Sequence, residues 1–171
     1  MIYHFFKFKF CFFKDLVVGI HDNDESTPNK EFAPEGWHVP TRDEFLVFEY
    51  YFLDNGYAYD NSAGNNIAKS MASTSGWNTS ANTGAVGNDQ SSNNSSGFNA
   101  FPEGKRGQCV GSQTDVDYYC DGLFRYEGTN TYFWSAYTSG LYWEITYWYD
   151  ILLRYGTNSL TYGYSVRLIK D

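Results

Sequence analysis

Between Thr41 and Asn55 the apolar residues Phe45, Phe48 and Phe52 recur three and four apart, the spacing of one helix face. Thr41 followed by Glu44, directly after Pro40, is a capping box, and Asn55-Gly56 supplies a stop, so the pattern predicts a helix over 41–54. Ala63, Ile67, Ala68 and Met71 fall on one face of a second, shorter helix that ends at the "STSGW" run. From Asn78 to Ser96 large apolar residues are nearly absent and Asn, Ser and Gly dominate, which predicts a long, exposed, mobile surface loop. After Phe98 come short aromatic runs broken by Gly and Asn, and in "GYSVRLIKD" Tyr164, Val166 and Leu168 alternate with Ser165 and Arg167, as in a half-buried strand. Two helices followed by many short antiparallel strands and long loops make an α+β domain.

The opening "MIYHFFKFKFCFFKDLVVGI" alternates Phe6, Lys7, Phe8, Lys9 and Phe10, the period of a strand. Lys7, Lys9 and Lys14 interrupt the apolar run that a signal peptide needs, and the stretch is too short and too charged to span a membrane. Residues 1–32 are therefore read as a lead holding one strand, and 33–171 as a single domain.

Composition changes the picture in two ways. A net charge of -8, with 12 scattered basic residues, excludes a nucleic-acid partner, which needs clustered Lys and Arg. The 16 tyrosines point toward contact surfaces, since tyrosine offers a large rigid area with a polar tip. Of the three cysteines, Cys109 and Cys120 are close enough in sequence to bridge a loop in an oxidising compartment, and idle thiols are the alternative.

Candidate chemistry is sparse. His38 in "GWHVPTRDEF" has no cysteine or carboxylate partner that its sequence neighbourhood picks out, and His4 and His21 add nothing, so a framework role is favoured over catalysis. No Gly-x-Ser-x-Gly elbow is present. Asp115, Asp117 and Asp121 supply oxygen ligands of the kind calcium takes, but their spacing fits no EF-hand loop and reads as a solvated acidic loop. Neither a metal nor a cofactor is expected.

The blocks "APEGWHVPTRDEF", "AKSMASTSGW", "GFNAFPEGKRG" and "FWSAY", closed by "GYSVRLIKD", occur in an order that resembles the Fibrobacter succinogenes major paralogous domain. The resemblance implies a fold similar to C-type lectins and to the formylglycine-generating enzyme. It also implies that Trp37, Thr41, Phe45, Trp77, Phe98, Trp134 and Val166 are framework, with these rings, Phe48 and Val166 gathered in one core. The cysteine pair of the formylglycine-generating relatives has no counterpart at the positions of Cys109 and Cys120, and the lectin signatures Glu-Pro-Asn, Gln-Pro-Asp and Trp-Asn-Asp are absent. An enzyme is thus the third choice.

The segment 131–163 carries the binding expectation. Neighbours in a strand point to opposite sides, so Tyr142-Trp143 and Tyr147-Trp148-Tyr149 must each send a ring outward. Tyr142, Trp143, Glu144, Tyr147, Tyr149, Asp150, Arg154, Tyr155, Asn158 and Tyr162 are expected to form one solvent-facing patch for a protein or glycan ligand, on a module displayed at a cell surface, secreted or carried on a virion. Some proteins similar to this family are targets of diversity-generating retroelements, and "FWSAY" and "GYSVR" would frame such a variable segment. The rival expectation is a structural surface or adhesion subunit whose aromatics are buried in its own core or in an oligomer.

Overall fold

The computed structural model describes residues 6–7, 12–13, 33–60, 64–107, 109–110, 119–120, 123–137, 140–156 and 162–171. It is mixed α/β, with two α-helices and twelve short strands among the described residues. The strands are β1 (Phe6–Lys7), β2 (Phe12–Phe13), β3 (Trp37–His38), β4 (Lys105–Arg106), β5 (Cys109–Val110), β6 (Tyr119–Cys120), β7 (Phe124–Arg125), β8 (Asn130–Trp134), β9 (Leu141–Thr146), β10 (Leu153–Gly156), β11 (Gly163–Tyr164) and β12 (Arg167–Lys170). Where one strand was expected in the lead there are two, β1 pairing with β12 and β2 with β11.

Helix α1 (Arg42–Asp54) forms as its sequence dictates. Thr41 Oγ1 accepts from the Glu44 amide at 3.3 Å, and the Thr41 amide donates to Glu44 Oε2 at 2.9 Å, so both halves of the capping box are made. Phe45, Phe48 and Phe52 lie on its buried face. The second helix, α2, is only Ala68–Met71, one turn, with Ile67, Ala68 and Met71 in the core; position 63 falls outside the described residues.

The central sheet has the order β10-β9-β8 and is antiparallel throughout. Its register decides what each side chain faces. Phe133 opposes Trp143 and Thr131 opposes Ile145, and these point toward α1. Tyr132 opposes Glu144, Trp134 opposes Tyr142, and Tyr142 opposes Tyr155, and these point the other way. The expected single core is therefore two, because a sheet passes through it. Phe45, Phe48, Trp77, Phe98, Phe133, Trp143 and Ile145 fill the helix side. Val39, Tyr132, Trp134, Tyr164, Val166 and Leu168 fill the other, with Trp37 half-buried against them.

The stretch from Asn78 to Ser96 corrects the expectation of an exposed, mobile loop. Ala85 and Val86 are buried, as are Ser80 and Asn93. The organiser is Lys69, whose side chain is buried beneath the loop. Its Nζ donates to the carbonyls of Asn88, of Asp89 at 3.1 Å and of Ala85 at 3.4 Å, and to Asn93 Oδ1 at 2.9 Å. Burial pushes the Lys69 ammonium below the usual lysine range, with the charge of Asp89 opposing. A segment with few apolar side chains is thus ordered by polar groups saturating a buried cation. Asp89 and Asn94 take the left-handed backbone that such winding needs, a region these residue types tolerate. A Cβ at Gly87 would sit 2.2 Å from the Asn78 carbonyl and 2.9 Å from that of Tyr147, so this close crossing accepts only glycine.

Candidate functional site on the tyrosine face of the central sheet

Folding supplies what the neighbourhood of His38 lacked. His38 Nδ1 lies 2.6 Å from Asp171 Oδ1, and Nε2 lies 2.9 Å from Glu44 Oε1. The ring is buried and both nitrogens are engaged, so it ties β3 to the start of α1 and to Asp171. The framework reading of "GWHVPT" thus acquires its mechanism.

The expected ten-residue patch divides into three groups, with Asn158 outside the described residues. Trp143 is the clearest correction. It is fully buried, stacked on Phe45 at 4.0 Å with 15° between the rings, and its indole N–H donates to the buried Glu49 carboxylate. The neighbours do point to opposite sides, but the α1 side takes the tryptophan. Arg154 lies on that side too, its Nε 3.7 Å from Glu49 Oε2, with Asn65 donating to the same oxygen at 2.9 Å.

A second group, Tyr147, Tyr149 and Asp150, forms the turn after β9 together with Trp148. Tyr147 packs partly against the helix-side core, whereas Trp148 and Tyr149 are exposed at 49% and 48%.

The third group is the candidate site. Tyr142, Glu144, Tyr155 and Tyr162 are gathered with Tyr126, Tyr132, Tyr164, Asn130 and Lys105 on the face of the sheet turned away from α1. Tyr142 lies 5.7 Å from Tyr155 and 4.8 Å from Tyr164. Tyr164 stacks between Tyr162 at 5.8 Å and Tyr132 at 5.0 Å. Lys105 Nζ stands 3.9 Å over the Tyr162 ring and 5.4 and 5.5 Å from Tyr126 and Tyr132, an ammonium caged by three rings. The base of this face is buried, while Tyr155 and Tyr126 stand at its margin, 43% and 53% exposed.

Its electrostatics follow from partial burial. Desolvation raises the Glu144 carboxyl above the usual carboxylate range, opposed by a hydrogen bond donated by Asn130 Nδ2 and by the charge of Lys105. Desolvation also lowers Lys105, opposed by Glu144. Burial, with Glu144 nearby, pushes Tyr142 up to about 12 and raises Tyr132 further. The face therefore offers phenol hydroxyls, an amide and one acid and base pair, all fixed by a sheet, an arrangement that can hold a ligand by stacking and hydrogen bonds.

Lys105, Tyr126 and Asn130 were not expected in the site, and neither was Trp148 on the turn. Lys105 stands inside the "GFNAFPEGKRG" block, but nothing local says that its ammonium reaches a tyrosine separated from it by a whole hairpin. Among the described residues no cluster of three or more His, Cys, Asp or Glu side chains is placed to hold a metal ion. Asp115, Asp117 and Asp121 lie outside the described residues. The backbone sets Cys109 opposite Cys120 in the β5–β6 ladder, and their thiols lie outside what is described.

A small mixed α/β domain, with one sheet face closed by a helix and the other lined with tyrosines, is the class defined here. Residues 15–170 match the profile of the Fibrobacter succinogenes major domain, and the chain belongs to that family. No curated protein and no solved structure matches it significantly.

Proposed function

We propose that the chain is a non-enzymatic ligand-binding or adhesion module of C-type lectin-like fold, displayed on a cell surface or particle, whose tyrosine face holds a protein or glycan. The observation that carries this reading is the placement of Tyr126 and Tyr155, exposed rings bordering a half-buried Glu144 and Lys105 on a rigid sheet. Rigid amphipathic rings bury area at low entropic cost, and a partly desolvated acid and base add directional contacts. In this reading no cofactor takes part. Tyr155 lies between "FWSAY" and "GYSVR" and is exposed, so retroelement-driven variation at this position would alter the ligand while sparing Trp143, Ile145 and Leu152, the core residues of the same interval.

The burial of Trp143, Tyr132 and Tyr164 favours a second reading, a structural subunit, for that half of the aromatics. Binding of labelled protein to a printed glycan array and to intact cells separates the two. Tyr126→Ala/Tyr155→Ala and Glu144→Gln should each weaken retention at least about tenfold with Tm unchanged. Retention that falls only as Tm falls, or exposed rings that prove to be buried in an oligomer, would favour the structural subunit.

A further inference from the structure

The turn that follows β9 is anchored more completely than an exposed turn requires. Its four successive carbonyls all accept hydrogen bonds from other parts of the chain. Tyr147 O accepts from the Gly87 amide at 2.7 Å, Trp148 O from Asn82 Nδ2 at 3.1 Å, Tyr149 O from the Val86 amide at 3.2 Å and Asp150 O from the Ala68 amide at 3.0 Å. Its amides are used as well, Tyr147 N–H donating to Thr129 O at 2.9 Å. Solvent could satisfy each of these groups at a surface. The effect of satisfying them internally is to fix two half-exposed rings, Trp148 and Tyr149, in place. Trp148 is further held by Tyr147, whose ring lies 5.4 Å away at 28°, while the Tyr149 ring is 5.9 Å away at 58°.

The surroundings narrow the ligand. The strap that carries Asn82 reads Asn78-Thr79-Ser80-Ala81-Asn82-Thr83, exposed except for Ser80, and contains no ionisable side chain. Amides and hydroxyls beside flat aromatic faces complement a pyranose, whose axial C–H faces stack on rings and whose equatorial hydroxyls both donate and accept. A phosphorylated or sulfated ligand would meet no cation on this strap, on a chain of net charge -8. An extended peptide would need pockets for its side chains, whereas these rings present flat faces.

We propose that the Trp148–Tyr149 turn, with Asn82 at its rim, is a binding site for neutral, equatorially substituted oligosaccharide chains, distinct from the tyrosine face and independent of it. Preorganisation supplies affinity here by removing the cost of ordering the rings. Because the site uses no metal and no charge, binding should persist in chelator and change little with salt.

The test is titration of the purified full chain with cellohexaose and xylohexaose, read by tryptophan fluorescence and calorimetry, with a heparin hexasaccharide as the anionic comparison. At least one neutral hexaose is expected to bind with Kd below about 1 mM. Trp148→Ala should weaken that binding at least about tenfold, and Asn82→Ala or Tyr149→Ala about threefold to tenfold, at unchanged Tm. Trp148→Phe should restore part of it, and Tyr155→Ala on the tyrosine face should leave it intact. The proposal is overturned if no neutral hexaose binds at about 10 mM, if binding survives Trp148→Ala, or if the heparin fragment binds as tightly. Loss in Tyr155→Ala but not in Trp148→Ala would move the glycan to the tyrosine face.

Discussion

The same three strands present two unlike surfaces. Toward α1, Phe133, Trp143 and Ile145 meet Phe45, Phe48 and Phe98, and a buried carboxylate there, Glu49, is bonded by Trp143 and Asn65 and faced by Arg154. On the opposite face, Tyr132, Tyr142 and Tyr164 also pack together, but each carries a hydroxyl, and Glu144 and Lys105 lie among them. The helix side is closed by α1, and the base of the tyrosine side by Val39, Val166 and Leu168. The tyrosine side ends in the exposed rings of Tyr126 and Tyr155. The lesson is that strand alternation sends Phe133, Trp143 and Ile145 to the helix side and Tyr132, Trp134 and Tyr142 to the other, and that only the rim of this second side meets water.

The sharpest way to break this comparison is Trp143→Ala. It removes a fully buried ring stacked on Phe45 and strips Glu49 of a donor, and should cost about 3–5 kcal/mol in chemical denaturation. Next comes the polar strap whose Val86 joins the helix-side core. Lys69→Met leaves the acceptors of a buried ammonium without a donor, and should cost about 2–4 kcal/mol and speed amide exchange across residues 85–93. Gly87→Ala, which forces a Cβ into two backbone carbonyls, should destabilise by a similar amount.

A smaller effect sharpens the tyrosine side. Tyr142 keeps its proton up to about 12 in the fold, against about 10 in an unfolded chain, so the unfolded state ionises first. The stability it contributes is whole below about pH 10 and is lost as pH rises through about 12. Tyr142→Phe should flatten the alkaline limb of a stability–pH curve and leave the neutral region nearly level. The smallest expected effect is that of Tyr155→Ala, under about 0.5 kcal/mol, because an exposed ring on an edge strand gives up little packing.

What the sequence made legible is local. Thr41, Glu44 and Asn55 mark α1 because a cap acts within four residues, and the phenylalanine spacing marks its buried face because helix geometry is fixed. What it hid depends on partners far away in the chain. Alternation says that Tyr142 and Trp143 part company, but which one meets the helix depends on how the β8–β9 hairpin lies against α1. His38 finds one carboxylate six residues on and another 133 residues away. Lys69 finds its acceptors 16 to 24 residues on, in a segment whose composition alone suggests disorder. Composition measures apolar burial and says nothing of how a single buried cation can organise a polar loop.

The central contrast is between the covered helix side of the sheet, where Trp143 lies, and the exposed rim of the tyrosine side, formed by Tyr126 and Tyr155. Urea denaturation of the triple variant Tyr126→Ala/Glu144→Gln/Tyr155→Ala beside Trp143→Ala tests it most directly. The account predicts a triple variant within about 1 kcal/mol of the parent and Trp143→Ala lower by at least about 3 kcal/mol. A triple variant as unstable as Trp143→Ala would contradict it, because the rim of the tyrosine side would then be holding the fold together.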